Sequence, residues 1–393
     1  MTPANQPPRK GGGGRGGKGG TGGKATKKGR RKDPLWARLL VIGGAALMMT
    51  SGIAIVGSKA VISQATSSIE QENLLGDAGK TDAEGGKDLK GPIDLLLLGV
   101  DVRGSWEHND TRADTIIILH IPATHDQAYL VSIPRDTEVT IPAFTKSKFR
   151  GGREKINSAF YWGAQNGAGW AGGAQLMAQT IKKLTGISFD GAAIIDFNGF
   201  KSVIDALGTV RICVDQKVES HHMMMVNGKP MWNADAKKVG NGRWPAVVHK
   251  PGCKEMEGWE ALDYSRQRYG LKNGDYDRQQ HQQQLIKAMA AKAMEGGVMT
   301  NPLKLNTLMK AAGKAFTLDT GGVPIADFVF TMRNVTANEL VLLRTNDGTF
   351  AGNGEGAEAL KPISKQMFAA VKADTLAEFV AANPSVLSKK PSA

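Results

Sequence analysis

The sequence lacks the short motifs that mark many enzymes. It has no P-loop and no GxSxG, so no phosphate-cradling loop or nucleophile elbow is present. Its seven histidines form no HExxH and no His/Cys cluster. Cysteine is nearly absent, with Cys213 and Cys253 alone in 393 residues and neither in a CxxC pair. Two readings fit them: one bridge closing the intervening loop, or two free, buried thiols. The stretch Ser220-His-His-Met-Met-Met225 offers soft thioethers of the kind that suit Cu(I), but a flexible apolar loop is the commoner meaning of such a run. There is no internal repeat. Acidic residues are almost missing from one region: residues 1–38 hold eleven Lys or Arg and a single acid, Asp33.

That imbalance supplies +10 of the net +13, so the rest of the chain is near neutral and no global nucleic-acid-binding surface is implied. The Gly- and Lys-rich tail cannot bury enough apolar surface to order itself. RGG-like runs sometimes bind RNA. A solvated tail that sets topology and touches anionic lipid heads is the simpler reading. Twenty uncharged residues follow, Leu39 to Ser58, bounded by Arg38 and Lys59. At about 1.5 Å per residue they reach roughly 30 Å, the thickness of a bilayer core. The basic flank lies wholly N-terminal, so a single-pass anchor would leave the N-terminus in the cytoplasm and everything after Lys59 outside. A cleaved signal peptide is the rival, but the basic region is too long and the apolar run too extended for it. Disulfides persist on the outer side, which is where both cysteines would stand.

The organisation expected is a disordered basic cytoplasmic tail (1–38), a transmembrane helix (39–59) and an extracellular linker (60–90) whose start is a membrane-proximal helix. A catalytic domain (91–300), a C-terminal part of the extracellular domain (301–382) and a tail (383–393) follow. Short apolar runs at Ile93–Gly99, Thr115–Ile121 and Ala128–Ile133 read as buried strands. Helical patterns cover Gly172–Gly186, Asp196–Leu207 and Gln279–Glu295, with a strand at Val210–Val214 and a further helical stretch over 356–381. Strands alternating with helices indicate a layered α/β domain.

Aspartates and arginines recur at the strand ends. Asp101 ends the first strand and Asp114 starts the second; the loop between them holds Arg103 and Arg112. Carboxylates at one rim can hold Mg²⁺, with phosphate and water completing its shell. Loop-end aspartates also cap backbone amides, so each alone is ambiguous. Arg135 and Asp136 leave the third strand after Pro134, at the same edge or as a surface ion pair. Arg266 and Arg268, two apart, would face one way on an extended segment and form a guanidinium clamp. Asp275, Arg278 and Gln282, spaced i, i+3, i+7, share one helix face. Guanidiniums fork onto phosphate oxygens, so carboxylates and arginines together suit a pyrophosphate.

These residues resemble the LytR–CpsA–Psr family over about Gly91 to Glu295. The resemblance rests on LLLLGVDVRG, RADTIII, VSIPRDTEVTIP, the EKINSAF stretch with Lys155, DFNGFKSVIDALGTVRI, EGWEALDYSRQR and DYDRQQHQQQ. It implies a central mixed β-sheet flanked by helices, with an apolar groove for a prenyl chain. It also implies a membrane-anchored, Mg²⁺-assisted transferase that moves a glycopolymer from a polyprenyl-pyrophosphate carrier to peptidoglycan through a phosphodiester. By that resemblance Asp101 and Asp114 hold the metal. Arg112, Arg135, Arg266, Arg268 and Arg278 bind pyrophosphate, with Arg103, Lys155 and Gln282 also facing substrate. Asp275 is a base or an arginine-orienting acid. His281 stands where members often carry arginine, which would make phosphate affinity lower or pH-dependent. A polyprenyl-pyrophosphate hydrolase and a non-enzymatic anchored regulator are the alternatives.

Overall fold

The computed structural model describes residues 69–85, 89–100, 111–239, 243–295, 307–308, 310–311, 316–332 and 335–388. The tail 1–38, the apolar run 39–59, Asp101 and Arg103 lie outside them. Among the described residues no helix is long and apolar enough to cross a membrane.

The chain begins with β1 (Glu70–Gln71), β2 (Ile93–Val100), β3 (Ala113–Ile121), β4 (Ala128–Ser132), β5 (Glu138–Ile141) and β6 (Gly152–Lys155). It continues through α1 (Ser158–Ala164), α2 (Gly169–Thr185), β7 (Gly191–Asp196), α3 (Phe197–Leu207), β8 (Val210–Val214), β9 (Val218–Val226), β10 (Lys229–Trp232) and α4 (Asn233–Ala236). Then come β11 (Ala246–His249), β12 (Gly252–Met256), α5 (Gly258–Arg266), α6 (Asp275–Glu295), β13 (Phe316–Asp319), α7 (Ile325–Thr331), β14 (Leu340–Leu343), α8 (Pro362–Lys372) and α9 (Leu376–Ala382). Seven strands form one sheet in the order β1-β13-β7-β2-β3-β4-β14. Parallel pairs (β1/β13, β7/β2, β4/β14) and antiparallel pairs (β13/β7, β2/β3, β3/β4) share it, so the sheet is mixed, as expected.

The continuous apolar runs follow from burial on both sheet faces. Leu96, Leu98, Ile116 and Ile118 enter one core with Phe160, Leu176 and Met177 of the first two helices. Their alternating neighbours Ile93, Leu97, Ile117 and Leu119 enter a second cluster with Phe328 and Ile286. Each fully buried aliphatic contributes about 1.5–3 kcal/mol. Helices α1 and α2 touch almost backbone to backbone: a Cβ on Gly163 would stand 2.4 Å from the Gly172 carbonyl oxygen. A third cluster, with Ile204, Val210, Ile212, Tyr264 and Leu285, joins α3, β8, α5 and α6.

Cys213 and Cys253 stand opposite each other in the antiparallel β8/β12 pair and form a disulfide, closing the loop as the first of the two readings has it. Three boundaries differ from expectation. Leu74 and Leu75, placed in the linker 60–90, are buried, and β1 pairs with β13. The boundary at 300 is not structural, because β13 and β14 complete the same sheet. The tail from 383 begins inside the fold: the Arg344 N–H donates to the Val386 carbonyl at 2.9 Å, and Val386 is buried. In each case a few apolar residues in a polar stretch find a partner distant in sequence.

Candidate functional site

The cluster assembles at the ends of β3 and β4 and at the N-terminus of α6. Asp114 is the second residue of β3. Arg135 follows Ile133 and Pro134, whose ring has no N–H to extend the β4 ladder. The Arg135 Nη1 lies 2.8 Å from Asp114 Oδ2, and its Nε lies 3.5 Å from Asp275 Oδ1 and 3.7 Å from Asp136 Oδ2. Arg278 reaches the same place from α6: Nη2 is 2.7 Å from Asp275 Oδ1 and donates to the Asp114 carbonyl at 2.9 Å. Lys155, ending β6, pairs with Asp136 at 2.9 Å. Burial works to lower the Arg135 pKa, but the carboxylates of Asp114, Asp275 and Asp136 outweigh it and hold the guanidinium above its ordinary value.

Arg112 stands at the exposed side, donating to Ser158 Oγ at 3.1 Å and lying 5.5 Å from the Tyr161 ring centroid. Several groups in the cluster keep unused polar capacity. Arg135 Nε, Arg278 Nε and Asp275 Oδ1 are buried with no well-formed hydrogen bond despite their ion-pair proximity. The N-terminus of α6 adds a favourable field for an anion.

An apolar groove of about 230 Å³ opens beside this cluster. Leu97, Thr115, Ile117, Ala193 and Ile195 form its floor, and Phe197, Phe200, Ile286 and Met289 its walls. Gly99 lets β2 and β3 close at its end, since a Cβ there would stand 2.8 Å from Thr115 Cβ. Gln282 enters the groove from α6 with its Oε1 lacking any hydrogen-bond partner. As the spacing predicts, Asp275, Arg278 and Gln282 lie along one side of α6. A polar cleft of about 380 Å³, lined by Asp215, Asp277 and Asp347, opens on another face of the same helix. It lacks the apolar floor, so the groove is the better candidate for a lipid chain.

Arg266 and Arg268 do not form the expected extended clamp. Arg266 is the last residue of α5, and Gln267 is the first to leave helical geometry. The Arg266 guanidinium lies 3.8 Å from the Phe197 ring centroid and 5.5 Å from that of Trp232, at the groove. Arg268 instead lies 4.6 Å from the Tyr269 ring centroid. His281 also departs from expectation. It is buried away from the Arg135–Asp275 cluster, stacked on Tyr264 at 4.1 Å, with Nε2 3.2 Å from Asp215 Oδ1.

Sequence reasoning missed Trp232, Phe197 and Glu358. Nothing local marks them, because each acts on a residue more than thirty positions away. Glu358 ties two parts of the site together. Its N–H donates to the Asp136 carbonyl at 3.0 Å, while its carboxylate accepts from Tyr276 Oη at 2.5 Å, next to Asp275. Burial pushes the Glu358 carboxyl above its ordinary value, against the hydrogen bonds from Tyr276 and Asn346 that favour its charge.

Magnesium is a hard ion that accepts one or two carboxylates plus phosphate oxygens and water. Asp114 fits this, because its Oδ1 has only a long 3.4 Å contact from Asn157 Nδ2. Among the described residues no three His, Cys, Asp or Glu side chains converge on a metal position.

A mixed sheet thus carries an arginine–carboxylate cluster beside an apolar groove. The comparisons with known proteins agree with the earlier resemblance. The LytR_cpsA_psr family profile matches residues 58–367, and the chain belongs to this family. It is 29% identical to the probable cell wall biosynthesis protein LcpB of Corynebacterium glutamicum, over 67% of this chain and 59% of that protein. It is 27% identical to the polyisoprenyl-teichoic acid–peptidoglycan teichoic acid transferase TagU of Enterococcus faecalis, over 54% of this chain and 57% of that protein. The chain thus spans under two thirds of these curated relatives. Its fold matches the crystal structure of Streptococcus agalactiae protein gbs0355 with a TM-score of 0.56 at 18% identity, covering 76% of this chain and 91% of that one.

Proposed function

We propose that this protein is a membrane-anchored phosphotransferase that moves a glycopolymer from a polyprenyl-pyrophosphate carrier to peptidoglycan. The observation that carries the reading is the Asp114–Arg135–Asp275–Arg278 cluster at the end of the apolar groove. The groove takes the prenyl chain, and the arginines take the diphosphate. The anchor at 39–59 keeps the site at the outer face of the membrane, where the donor is held.

A hydroxyl of the acceptor sugar attacks the polymer-side phosphorus. A new O–P bond forms, the bridging P–O bond breaks, and polyprenyl phosphate departs; the hydroxyl proton passes to solvent. Such transfers depend on positioning and charge neutralisation more than on covalent chemistry. Arg135 and Arg278 are placed to hold the diphosphate and to stabilise charge moving onto the leaving phosphate. Of the two roles open for Asp275, its ion pairs with both arginines favour the orienting one. Asp114, with Asp101 from the sequence pattern, would hold Mg²⁺, which supplies charge neutralisation at the phosphates. Arg112, Lys155, Arg266, Arg268 and Gln282 line the approach, with Arg103 assigned there by the sequence pattern.

The test is product analysis with a lipid-linked donor and purified peptidoglycan. A covalent adduct joined by a phosphodiester is expected. Release of free polymer phosphate without adduct would instead identify a hydrolase, and donor binding without turnover a non-enzymatic role.

A further inference from the structure

On the other side of the arginine–carboxylate cluster from the groove lies an open cleft of about 460 Å³. Lys272, Asn273, Asp275, Tyr276, Thr349 and Phe350 line it. Asp275 is itself a member of the cluster, so the cleft opens onto the Arg135 and Arg278 guanidiniums. Lys272, Asn273, Tyr276 and Thr349 also line the polar cleft of about 380 Å³, so the two clefts share a wall. Phe350 is the unusual member, a large apolar side chain that remains 58% exposed.

The wall that carries Phe350 is built in advance. Just before it, Asn346, Asp347 and Gly348 have φ of 53°, 56° and 72°. Three consecutive left-handed residues, two of them with side chains, persist only where the surroundings impose them, and such backbone concentrates at ligand clamps. Buried Asn346 imposes it here. Its Nδ2 donates to Tyr276 Oη at 2.8 Å and to the Ala359 carbonyl at 3.0 Å. Its Oδ1 accepts from the Lys361 N–H at 2.9 Å and from Ser364 Oγ at 3.0 Å. Tyr276 follows Asp275 in α6, so one side chain fixes the Thr349–Phe350 wall against the wall that carries the cluster.

An exposed ring facing amide, hydroxyl and ammonium groups suits a sugar. The C–H face of a pyranose packs on the ring, while its hydroxyls pair with the polar groups. The adjoining polar cleft adds the amides of Gln216, Gln279 and Gln280, which suit further rings of the same strand.

The order of groups along α6 decides which sugar. Met289, Ile286 and Gln282 line the groove, Arg278 and Asp275 form the cluster, and Asn273 and Lys272 precede the helix in the cleft. In phosphoryl transfer the attacking and leaving oxygens lie roughly in line through phosphorus. The leaving polyprenyl phosphate has its tail in the groove, so the attacking hydroxyl enters from the opposite end of this row. The polymer being transferred projects to the side of that line.

We propose that the cleft beside Phe350 holds the acceptor glycan and that Phe350 is a specificity-determining residue for it. The inference rests on the lipid-diphosphate transfer reading above and adds the place from which the hydroxyl attacks.

The test uses the full chain in detergent and two separate probes: a soluble tetrasaccharide of β-1,4-linked N-acetylglucosamine, titrated by NMR, and farnesyl diphosphate. The wild type should bind both saturably. Phe350→Ala should weaken the tetrasaccharide about tenfold, the scale of one stacking contact, and leave farnesyl diphosphate unchanged. Phe350→Trp, which keeps an aromatic face, should retain the saccharide affinity. In transfer assays Phe350→Ala should raise the KM for peptidoglycan about tenfold without changing the KM for donor. No saturable tetrasaccharide binding by the wild type, or equal affinity in Phe350→Ala, would overturn the acceptor cleft while leaving the groove reading intact. A rise confined to the donor KM would place the transferred polymer there and overturn the assignment. Failure of the wild type to bind farnesyl diphosphate would overturn the lipid-diphosphate reading, and the acceptor assignment with it.

Discussion

Arg135 and Arg278 are held by carboxylates, whereas Arg266 and Arg268 are held against aromatic rings. The difference separates two ways of preparing a guanidinium for an anion. In the first, Asp114, Asp136 and Asp275 fix the fork and offset its charge before any ligand arrives. A phosphate must then compete with, or add to, existing ion pairs, and a cation at Asp114 would favour that exchange. In the second, stacking fixes the plane of the guanidinium by contact area and cation–π attraction, worth about 0.5–2 kcal/mol each. In the proposed transfer the caged pair is the one placed where charge moves. The stacked pair flanks Gln267, with Arg266 over Phe197 at the groove and Arg268 over Tyr269.

This contrast orders the expected effects. Arg135→Ala should cost the most. By analogy with arginines at other phosphoryl-transfer sites, transfer should fall by about 10³-fold or more. Removing one partner of a largely buried ion-pair network should also cost on the order of 2–4 kcal/mol in denaturant unfolding. Arg135→Lys keeps the charge but loses the fork, so its rate should fall between that of the alanine variant and that of the wild type. Undiminished transfer by Arg135→Ala would erase the distinction between caged and stacked arginines.

Removal of the disulfide comes next. Cys213→Ser with Cys253→Ser should lower unfolding stability by about 2–4 kcal/mol while leaving the caged cluster intact. Thermal unfolding with and without reductant should show the same loss in the wild type. Ala193→Phe should fill the groove floor and weaken binding of a prenyl diphosphate by about tenfold or more, with little effect on inorganic pyrophosphate. An equal loss for both ligands would mean that groove and cluster are not separable.

The smallest effect concerns pH. Burial raises the Glu358 carboxyl above its ordinary value in the folded state. The native protein therefore holds this proton where the unfolded chain has released it. Stability from this source is present below the unfolded pKa and is lost as pH rises through the folded one. Glu358→Gln should flatten that decline in a series of unfolding curves from pH 4 upward. An unchanged slope would assign it to other groups.

Much of this was legible because burial writes itself into sequence. The runs IDLLLLGV and ADTIIILHI read as strands since both of their faces are covered. The spacing of Asp275, Arg278 and Gln282 placed them correctly because a helix imposes its own period. Arg266 and Arg268 misled because alternation suggests a strand, while α5 continues to Arg266 and only Gln267 turns inward. His281 misled because position in a motif does not tell which side of a helix meets the core. Trp232, Phe197 and Glu358 were illegible, since their partners are supplied by topology across long separations. Leu74 and Leu75 fell inside the expected linker 60–90, because a lone apolar pair in a polar stretch carries no period to mark it as core.

The most direct test of the central claim is the affinity of farnesyl diphosphate for the full chain, measured by calorimetry with Mg²⁺ present, in the wild type and in Arg135→Ala. A diphosphate held by the caged arginines predicts saturable one-to-one binding that weakens by about 100-fold or more in the variant. Equal affinity in the two proteins would contradict it.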